Sequence, residues 1–413
     1  YAHTHTVVDN NSPLPANLKF FPQYLQQKGY QTAFMGKWHM GATNNDSPQP
    51  GFDYWISFRD QGVYYNPVFN INGKQVKFTD SAYTTDLLTD YAINWLDKTN
   101  KSKPFFLYLS HKGVHAEFYP AKRHKGKYAD IPVVCPPSMY LTVTDSSKTF
   151  GTVTAPQTKV NYRDIPQWVR NQRYSWHGVD YMYHGTIVFD DFYRRYLETL
   201  QAVDDSIEKV LEWVKENGQE QNTMVVYMGD NGFSFGEHGL IDKRHAYEES
   251  MRVPMLVWAP GMVKPSSVLE QVIMNVDIAP TFLQLAGVDK PSQMQGYSFA
   301  GLLKGNDNTW QRDKVFYEYY WEQAFPQTPT TFAVRTDRYK YIYYNGVWDI
   351  NELYDLKSDP HEMNNLIRDT AYRKTGLLLK TELFNWLDET GGLQIPLKKA
   401  APIKGDNLYR GTY

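Results

Sequence analysis

The stretch GDNGFSFGEHGLIDKRHAYEESMRVPMLVWAPG, residues 229–261, decides the fold. It follows the apolar run MVVYM (224–228) and ends in a second apolar run, VPMLVWAPG (253–261). Short, continuous apolar runs predict strands that are covered on both faces. The polar, glycine-rich loop between them therefore begins at a strand end, which is where ligands bind in open α/β sheets.

The rest of the chain up to about residue 305 alternates in the same way between helical and strand-like patterns. Residues 20–41 predict a short helix and then a buried strand, and 103–110 predict another strand. Amphipathic helices are predicted at 84–100 and 192–218, and a further helix at 275–288. This alternation predicts an α/β fold with a mostly parallel sheet between helices.

The pattern changes after about residue 305. The segment 332–356 has strand-like runs interrupted by Asn345-Gly346, a strong signal for a β-hairpin, and residues 368–389 predict a final helix. These features predict a small antiparallel sheet with a helix. We therefore expect two domains, a catalytic α/β domain at 1–305 and a small α+β subdomain at 306–413.

Composition excludes several classes of function. The net charge of −2 and the lack of a basic tract give nucleic-acid binding no electrostatic support, and no apolar run approaches the length of a membrane span. A single cysteine excludes an internal disulfide framework and a thiolate metal cluster. Aromatic residues make up 15% of the chain, which fits either stacking on sugar rings or a tyrosine-rich core.

Candidate catalytic side chains follow two of the predicted strands. In GKWHMG (36–41), Lys37 and His39 are two residues apart, so a strand would point both towards one ligand. His111 and His115 follow the strand at 103–110. A structural role remains open for each of these side chains taken alone.

The loop of the opening stretch adds a third group. Asp230 and Asn231 offer carboxylate and amide oxygens, which suit a hard cation, although Asp-Asn-Gly is also a common turn. His238 and Lys243 follow in the same loop. A cation, a histidine and a lysine together suit a tetrahedral oxyanion, since the positive groups neutralise its oxygens and the histidine can donate a proton.

These motifs, together with NVDIAPTFLQLAGV (275–288) and ELYDLKSDPHEMNNL (352–366), occur in the order found in formylglycine-dependent sulfatases. The chain resembles that family, part of the alkaline phosphatase superfamily, from residue 1 to about 366. The resemblance implies an alkaline-phosphatase-like fold, hydrolysis of sulfate esters on a carbohydrate, and a periplasmic or secreted location.

The resemblance also implies roles for the candidate side chains. Asp230 and Asn231 resemble two ligands of a Ca²⁺ ion, with Mg²⁺ the less favoured ion. His39 resembles the histidine that hydrogen-bonds the hydrated formylglycine, and His115 the general acid for the leaving alcohol. Contacts to the sulfate are implied for Lys37, His115, His238 and Lys243.

Two parts of the family pattern are missing from this sequence, the Cys-x-Pro-Ser-Arg motif and a pair of metal-binding aspartates. We expect both upstream of Tyr1, in a segment of roughly 60–80 residues that carries the formylglycine and a first strand. Cys135, in VVCPPSM (133–139), lacks the arginine and comes after Lys37 instead of before it. We therefore interpret Cys135 as a loop residue.

Two polar stretches are candidates for contact with the substrate. PAKRHKGKY (120–128) suits an anionic sugar, and SWHGVDYMYHG (175–185), with His177 and His184, suits a substrate lip; both could equally be solvated loops. A sulfated polysaccharide or oligosaccharide is the expected substrate, such as an algal ulvan-type glycan or a glycosaminoglycan. The alternatives are a phosphodiesterase or phosphonate hydrolase of the same superfamily and an inactive sugar-binding relative.

Overall fold

A computed structural model describes residues 1–41, 45–140, 149–150, 153–154, 164–306, 310, 312–346 and 349–395. Its helices are α1 (Ala2–His5), α2 (Phe21–Gln27), α3 (Thr84–Lys98), α4 (Gln167–Gln172), α5 (Phe189–Glu216), α6 (Glu248–Met251), α7 (Ile278–Leu285), α8 (Ala300–Leu303) and α9 (Arg373–Thr390). The strands of the first half are β1 (Gln31–Lys37), β2 (Tyr54–Phe58), β3 (Val68–Ile71), β4 (Lys74–Lys77), β5 (Phe105–Ser110), β6 (Thr149–Phe150) and β7 (Val153–Thr154). The second half has β8 (Val225–Met228), β9 (Met255–Trp258), β10 (Lys314–Tyr319), β11 (Thr331–Thr336), β12 (Tyr339–Tyr344) and β13 (Glu352–Asp355).

The largest sheet has five strands in the order β4-β3-β2-β1-β5. Strand β1 pairs in parallel with β2 and β5, and β3 and β4 add an antiparallel edge. The centre of β1 is fully buried, and Ala33 and Met35 pack against Leu88 and Ala92 of α3. The opposite face of the sheet carries Phe34, so helices or loops cover both faces, as the continuous apolar runs predict.

Strands β8 and β9, which flank the loop 229–254, form an antiparallel pair of their own. Their residues are only half-buried on average, with Leu256 of β9 66% exposed. The residues of β5 are also only half-buried, and Tyr108 is 45% exposed. The sequence predicted cover on both faces for the strand at 103–110, and the half-buried β5 differs from that prediction.

The C-terminal sheet is antiparallel in the order β10-β11-β12-β13, and α9 packs against it through Leu379, Leu383 and Leu387. The predicted small sheet with a helix is thus confirmed. Asn345 and Gly346 lie between β12 and β13 as expected, but the connection runs from 345 to 351, which is longer than a two-residue hairpin. The boundary near residue 305 stays a prediction.

No helix in the described part of the chain is both long and apolar enough to cross a membrane.

Candidate active site

The site begins where β1 ends. Lys37 is the last residue of β1, and the preceding Gly36 has φ 127°. A Cβ at Gly36 would lie 1.7 Å from the carbonyl oxygen of Ser110 at the end of β5, so only glycine lets the two strand ends approach this closely. Burial lowers the pKa of Lys37, and the carboxylate of Asp230 opposes that shift.

His39 lies just beyond the strand, in a left-handed conformation with φ 47°. Its Nδ1 is 3.1 Å from Nε2 of Gln61, which can donate to it, and its Nε2 is 3.5 Å from Oδ1 of Asp60. Burial and the nearby Lys37 lower the pKa of His39 to about 4. Gln61 and Asp60 were missed in the sequence, although they follow β2, the parallel neighbour of β1, and the strand-end rule applies to them as well.

The two histidines after β5 point to different places. His115 holds Nδ1 2.6 Å from the carbonyl oxygen of Ala116, and burial, Lys243 and Lys37 lower its pKa to about 2. His111 instead places Nε2 3.0 Å from Oγ of Ser206 on α5. His111 thus joins β5 to α5, and His115 is the one that the local charges couple to both lysines.

Lys112 is a third lysine near the site that sequence reasoning missed. Its Nζ donates to the carbonyl oxygen of Gln61 over 3.0 Å and lies 4.6 Å from the centre of the Tyr64 ring. Burial and Lys37 lower the pKa of Lys112 to about 8. It ties the turn after β2 to the loop after β5, which fixes Gln61 beside His39.

Asp230 and Asn231 follow β8, and both are exposed. The backbone N–H of Asn231 donates to Oδ1 of Asp230 over 2.9 Å, and the Asn231 side-chain amide donates to the Gly232 carbonyl over 2.7 Å. Burial and Lys37 lower the pKa of Lys243 to about 8, whereas Asp230 opposes the shift. Lys37, Lys243 and Asp230 therefore act on one another electrostatically within one site.

The side-chain oxygens of Asp230 and Asn231 are of the type that a hard cation binds, but two residues supply fewer ligands than such an ion needs. A carboxylate and an amide oxygen are what Ca²⁺ prefers, and Ca²⁺ takes six to eight oxygen ligands. A different cluster, His238 with Glu249 and Glu362, brings three potential ligand atoms within 4.8 Å of one another. Lys340 already places its Nζ 2.8 Å from Oε1 of Glu362, so a protein cation occupies that cluster.

His238 lies away from the other candidates. Its ring stacks on Tyr247 with centroids 3.8 Å apart, and only 3% of the residue is exposed. It does not line the cavity that Lys37, His39, His115, Asp230, Asn231 and Lys243 share. The backbone of His238 is left-handed, with φ 55°, so the chain changes direction at this residue. The spacing between Asp230 and His238 in the sequence does not predict that change.

Aromatic rings form one wall of this cavity. The rings of Trp176, His177 and Phe325 all stack on one another, with the centroid of His177 3.7 Å from that of Trp176 and 5.3 Å from that of Phe325. Arg244 lies 3.3 Å from the centre of the Phe325 ring and donates to Oδ1 of Asp242 over 2.6 Å. Arg244 was missed even though it follows Lys243 directly in sequence.

His184 is exposed and stacks on Trp176 at 5.7 Å, outside the residues that line the cavity. The cavity has a volume of about 2420 Å³ and is lined on one side by Lys37, Asp230 and Lys243.

Two other sequence features belong to the packing of the protein. Cys135 is 8% exposed and lies in an apolar cluster with Phe118, Val133 and Met139, not in the cavity lining. The basic stretch 120–128 faces helices: Arg123 pairs with Asp86 of α3 and Asp205 of α5, and His124 also contacts Asp205. Arg123 and His124 are therefore paired within the protein, and contact between this stretch and the substrate stays a prediction.

Comparison with known proteins gives a consistent family. The sulfatase family profile matches residues 1–288, and the profile described as N-sulphoglucosamine sulphohydrolase, C-terminal, matches residues 236–389. An N-acetylglucosamine-6-O-sulfatase of Bacteroides thetaiotaomicron is 33% identical over 94% of this chain and 75% of its own length. An extracellular sulfatase SULF-1 homolog of Drosophila melanogaster is 29% identical over 73% of this chain and 26% of its own.

Among solved structures, BT4656 in complex with its substrate D-glucosamine-2-N,6-O-disulfate superposes with a TM-score of 0.78 at 30% identity. The match covers 95% of this chain and 86% of the other. Family members generally use a metal ion and a formylglycine. The fold, the order of the motifs and the profile that spans most of the chain agree, and the protein belongs to the sulfatase family of the alkaline phosphatase superfamily.

Proposed function

We propose that the protein removes a 6-O-sulfate group from a glucosamine or N-acetylglucosamine unit of a sulfated carbohydrate. The observation that carries this proposal is the pair of desolvated lysines, Lys37 and Lys243, beside the acidic side chain of Asp230 in a cavity walled by aromatic rings. The names of the relatives, an N-acetylglucosamine-6-O-sulfatase and a protein that binds a glucosamine disulfate, support the choice of sugar.

Lys37 and Lys243 are proposed to hold the oxygens of the sulfate. Lys37 lowers the pKa of Lys243, as expected for two neighbouring cations that repel each other. An anion placed between them removes that repulsion. Because both amino groups are buried, their attraction for a sulfate oxygen is weakened less by water than at an exposed site.

His115 is proposed to protonate the leaving alcohol, and His39 to move a proton near the attacking group. The carbonyl of Ala116 accepts from Nδ1 of His115, which leaves Nε2 to exchange a proton with the substrate. Burial and the two lysines depress the pKa of His115. A bound sulfate offsets the two lysines, so the pKa of His115 rises when substrate binds and the ring can take up the proton that it later donates.

Asp230 and Asn231 are proposed as two of the ligands of a Ca²⁺ ion, which would polarise the ester. The remaining ligands and a formylglycine, which supplies the nucleophile in this family, are proposed to lie upstream of Tyr1. His177 and His184 are proposed to contact the sugar, since both stack with Trp176 at the aromatic wall. His238 does not line the cavity, so its proposed contribution to sulfate binding is indirect. Its ring stacks on Tyr247 and supports the loop that presents Lys243.

A periplasmic or extracellular location is also proposed. It is supported by the family relationship to a protein named as an extracellular sulfatase.

The test measures release of sulfate from D-glucosamine-2-N,6-O-disulfate by ion chromatography, using the full-length product of the gene. Lys243→Ala is expected to lower kcat/KM by about 10²–10³-fold, as does loss of a group that stabilises developing charge. Lys209→Ala, at an exposed lysine of α5, is the matched control and leaves the rate unchanged.

Two results would contradict the proposal. Binding of the sugar without release of sulfate would identify an inactive sugar-binding protein. Faster hydrolysis of an aryl phosphate than of the corresponding aryl sulfate would identify a phosphoesterase.

A further inference from the structure

Each of the two histidines His39 and His115 has a hydrogen-bond acceptor beside one of its ring nitrogens. Oδ1 of Asp60 lies 3.5 Å from Nε2 of His39, and the carbonyl oxygen of Ala116 lies 2.6 Å from Nδ1 of His115. An ionised carboxylate and a carbonyl can only accept a hydrogen bond, so the ring nitrogen that faces each of them carries the proton. The protonated nitrogen is therefore a different one in the two rings.

Both rings are neutral at neutral pH, so each carries a single proton. Burial and Lys37 lower the pKa of His39 to about 4, although Asp60 opposes the shift. Burial and Lys243 lower the pKa of His115 to about 2. With its one proton on Nε2, His39 is a donor at that nitrogen, whereas His115, with its proton on Nδ1, is an acceptor at Nε2.

Gln61 contacts the other nitrogen of the His39 ring. Its side-chain Nε2 lies 3.1 Å from Nδ1 of His39. Because Nδ1 has no proton when Nε2 carries it, the amide of Gln61 donates and Nδ1 accepts. Gln61 thus stabilises the same tautomer that the carboxylate of Asp60 favours from the opposite side of the ring.

The position of Gln61 is fixed by Lys112. Nζ of Lys112 donates to the carbonyl oxygen of Gln61 over 3.0 Å and lies 4.6 Å from the centre of the Tyr64 ring. The hydroxyl of Tyr64 donates to the carbonyl oxygen of His115 over 2.7 Å and accepts from the His115 backbone N–H over 3.1 Å. Lys112 is 6% exposed and Tyr64 3%, so water competes little for these contacts. Gln61, Lys112 and Tyr64 therefore connect the two histidines.

The backbone is strained on both sides of the contact between His39 and Asp60. The angle φ is 47° at His39 and 53° at Asp60, in the left-handed region that favours glycine. Such a conformation costs roughly 1–3 kcal/mol per residue, persists only where surrounding contacts fix it, and is most common at functional sites. The fold, and not a local preference, therefore brings these two side chains together.

We propose that Gln61 is a positioning residue, which holds the proton of His39 on Nε2 and so gives His39 and His115 opposite tautomers. The inference rests on the proposed function in one respect, since that function assigns both histidines to proton transfer. With opposite tautomers, His39 can donate a hydrogen bond to the attacking group, while His115 keeps a lone pair at Nε2 for the proton that it takes up when substrate binds. Equal tautomers would place two donors or two acceptors at these positions.

Long-range proton–nitrogen correlation NMR tests the tautomers directly. The full-length product of the gene is labelled at its histidine nitrogens, and the two rings are assigned by the loss of their signals in His39→Gln and His115→Gln. At neutral pH, the protonated nitrogen is expected to be Nε2 in His39 and Nδ1 in His115. This measurement needs no release of sulfate.

Gln61→Glu replaces the donor beside Nδ1 of His39 with an acceptor of nearly the same size. With a carboxylate on each side, the ring is expected to hold protons on both nitrogens, and kcat for release of sulfate is expected to fall about 10²-fold. Gln27→Glu makes the same change at an exposed position of α2 and is the matched control. It should change neither the tautomers nor the rate.

Lys112→Met tests the support of Gln61 in a variant that keeps the length of the side chain and replaces a buried cation with an apolar group. Without the bond from Nζ to the Gln61 carbonyl, His39 is expected to show both tautomers, and kcat should fall about 10-fold. His115 should keep its proton on Nδ1, because the carbonyl of Ala116 still accepts from it.

The same tautomer at His39 and His115 in the unaltered protein would overturn the inference, and so would an unchanged His39 ring in Gln61→Glu. Opposite tautomers without release of sulfate would refute the proposed function and leave the positioning role intact. Release of sulfate with the proton of His39 on Nδ1 would do the reverse.

Discussion

The two main sheets of this protein differ in how completely their apolar strands are buried. In the C-terminal sheet, β11 and β12 are almost fully buried, and Lys340 is satisfied by the carboxylates of Glu248 and Glu362. At the β5 side of the N-terminal sheet, equally apolar strands remain half-buried around a cavity. The C-terminal sheet packs closely against its helix, whereas the N-terminal sheet borders a cavity that is lined by the candidate site residues.

The comparison predicts its largest effect at Lys340, whose side chain is fully buried. Lys340→Met leaves the carboxylates of Glu248 and Glu362 without their cation and is expected to cost about 3–5 kcal/mol in the free energy of unfolding. Urea denaturation measures this. Arg338→Gln, which breaks the ion pair of a half-exposed arginine with Asp355, is the control and should lower the free energy of unfolding much less.

Removing an apolar side chain should cost more free energy of unfolding in the C-terminal sheet than in the N-terminal sheet. Ile342→Ala in β12, at a residue with no exposed surface, is expected to cost about 2–5 kcal/mol. Leu107→Ala in half-buried β5 is expected to cost about 1–2 kcal/mol, since less apolar surface is removed from contact. If urea denaturation gave equal losses in free energy of unfolding for the two variants, β5 would be as well packed as β12, contrary to this prediction.

A third prediction concerns pH and Glu352 in β13. Burial raises the pKa of Glu352 to about 7, although Tyr247, Tyr344 and Tyr354 donate to its carboxylate and oppose the shift. The folded state then holds a proton that the unfolded state loses near its ordinary pKa of 4.5. Stability is therefore expected to fall as pH rises from about 4.5 to 7, by up to about 1.4 kcal/mol per pH unit. Glu352→Gln should flatten this slope in unfolding curves recorded across that range.

The smallest effect is expected at Cys135, which belongs to neither sheet. Cys135→Ser places a hydroxyl in an apolar cluster and should cost about 1 kcal/mol, with no change in the rate of sulfate release. If Cys135→Ser abolished sulfate release while circular dichroism showed the fold preserved, Cys135 would become a candidate nucleophile.

The sequence predicted elements well where periodicity is strong. The helix predicted at 192–218 is α5 at Phe189–Glu216, and the strand predicted at 103–110 is β5 at Phe105–Ser110. Apolar composition alone could not tell that β5 pairs with β1 and is still only half-buried, because the same apolar residues also fit a fully buried strand. The partial burial of β5 becomes visible only in three dimensions.

The positions of the predicted site residues were easier to anticipate at strand ends than inside loops. Lys37 and Asp230 lie at strand ends, where direction follows from the sheet, and both line the cavity. His238 and His39 both have left-handed backbone conformations, with φ 55° and 47°, so spacing along the chain did not fix where their rings point. His39 still reaches the cavity, whereas His238 packs behind it.

The contacts of Lys340 have a consequence for protein engineering. Its Nζ donates to the carbonyl of Ala246 over 2.9 Å, and the loop that presents Lys243 is thereby held by a strand about a hundred positions further along the chain. The conformation of the loop 229–254 therefore depends on β12, and the loop cannot be transferred to another protein by itself. Grafting its chemistry onto another sheet would require transplanting β12 with it, and a C-terminal truncation would disable the site without removing any side chain that lines it.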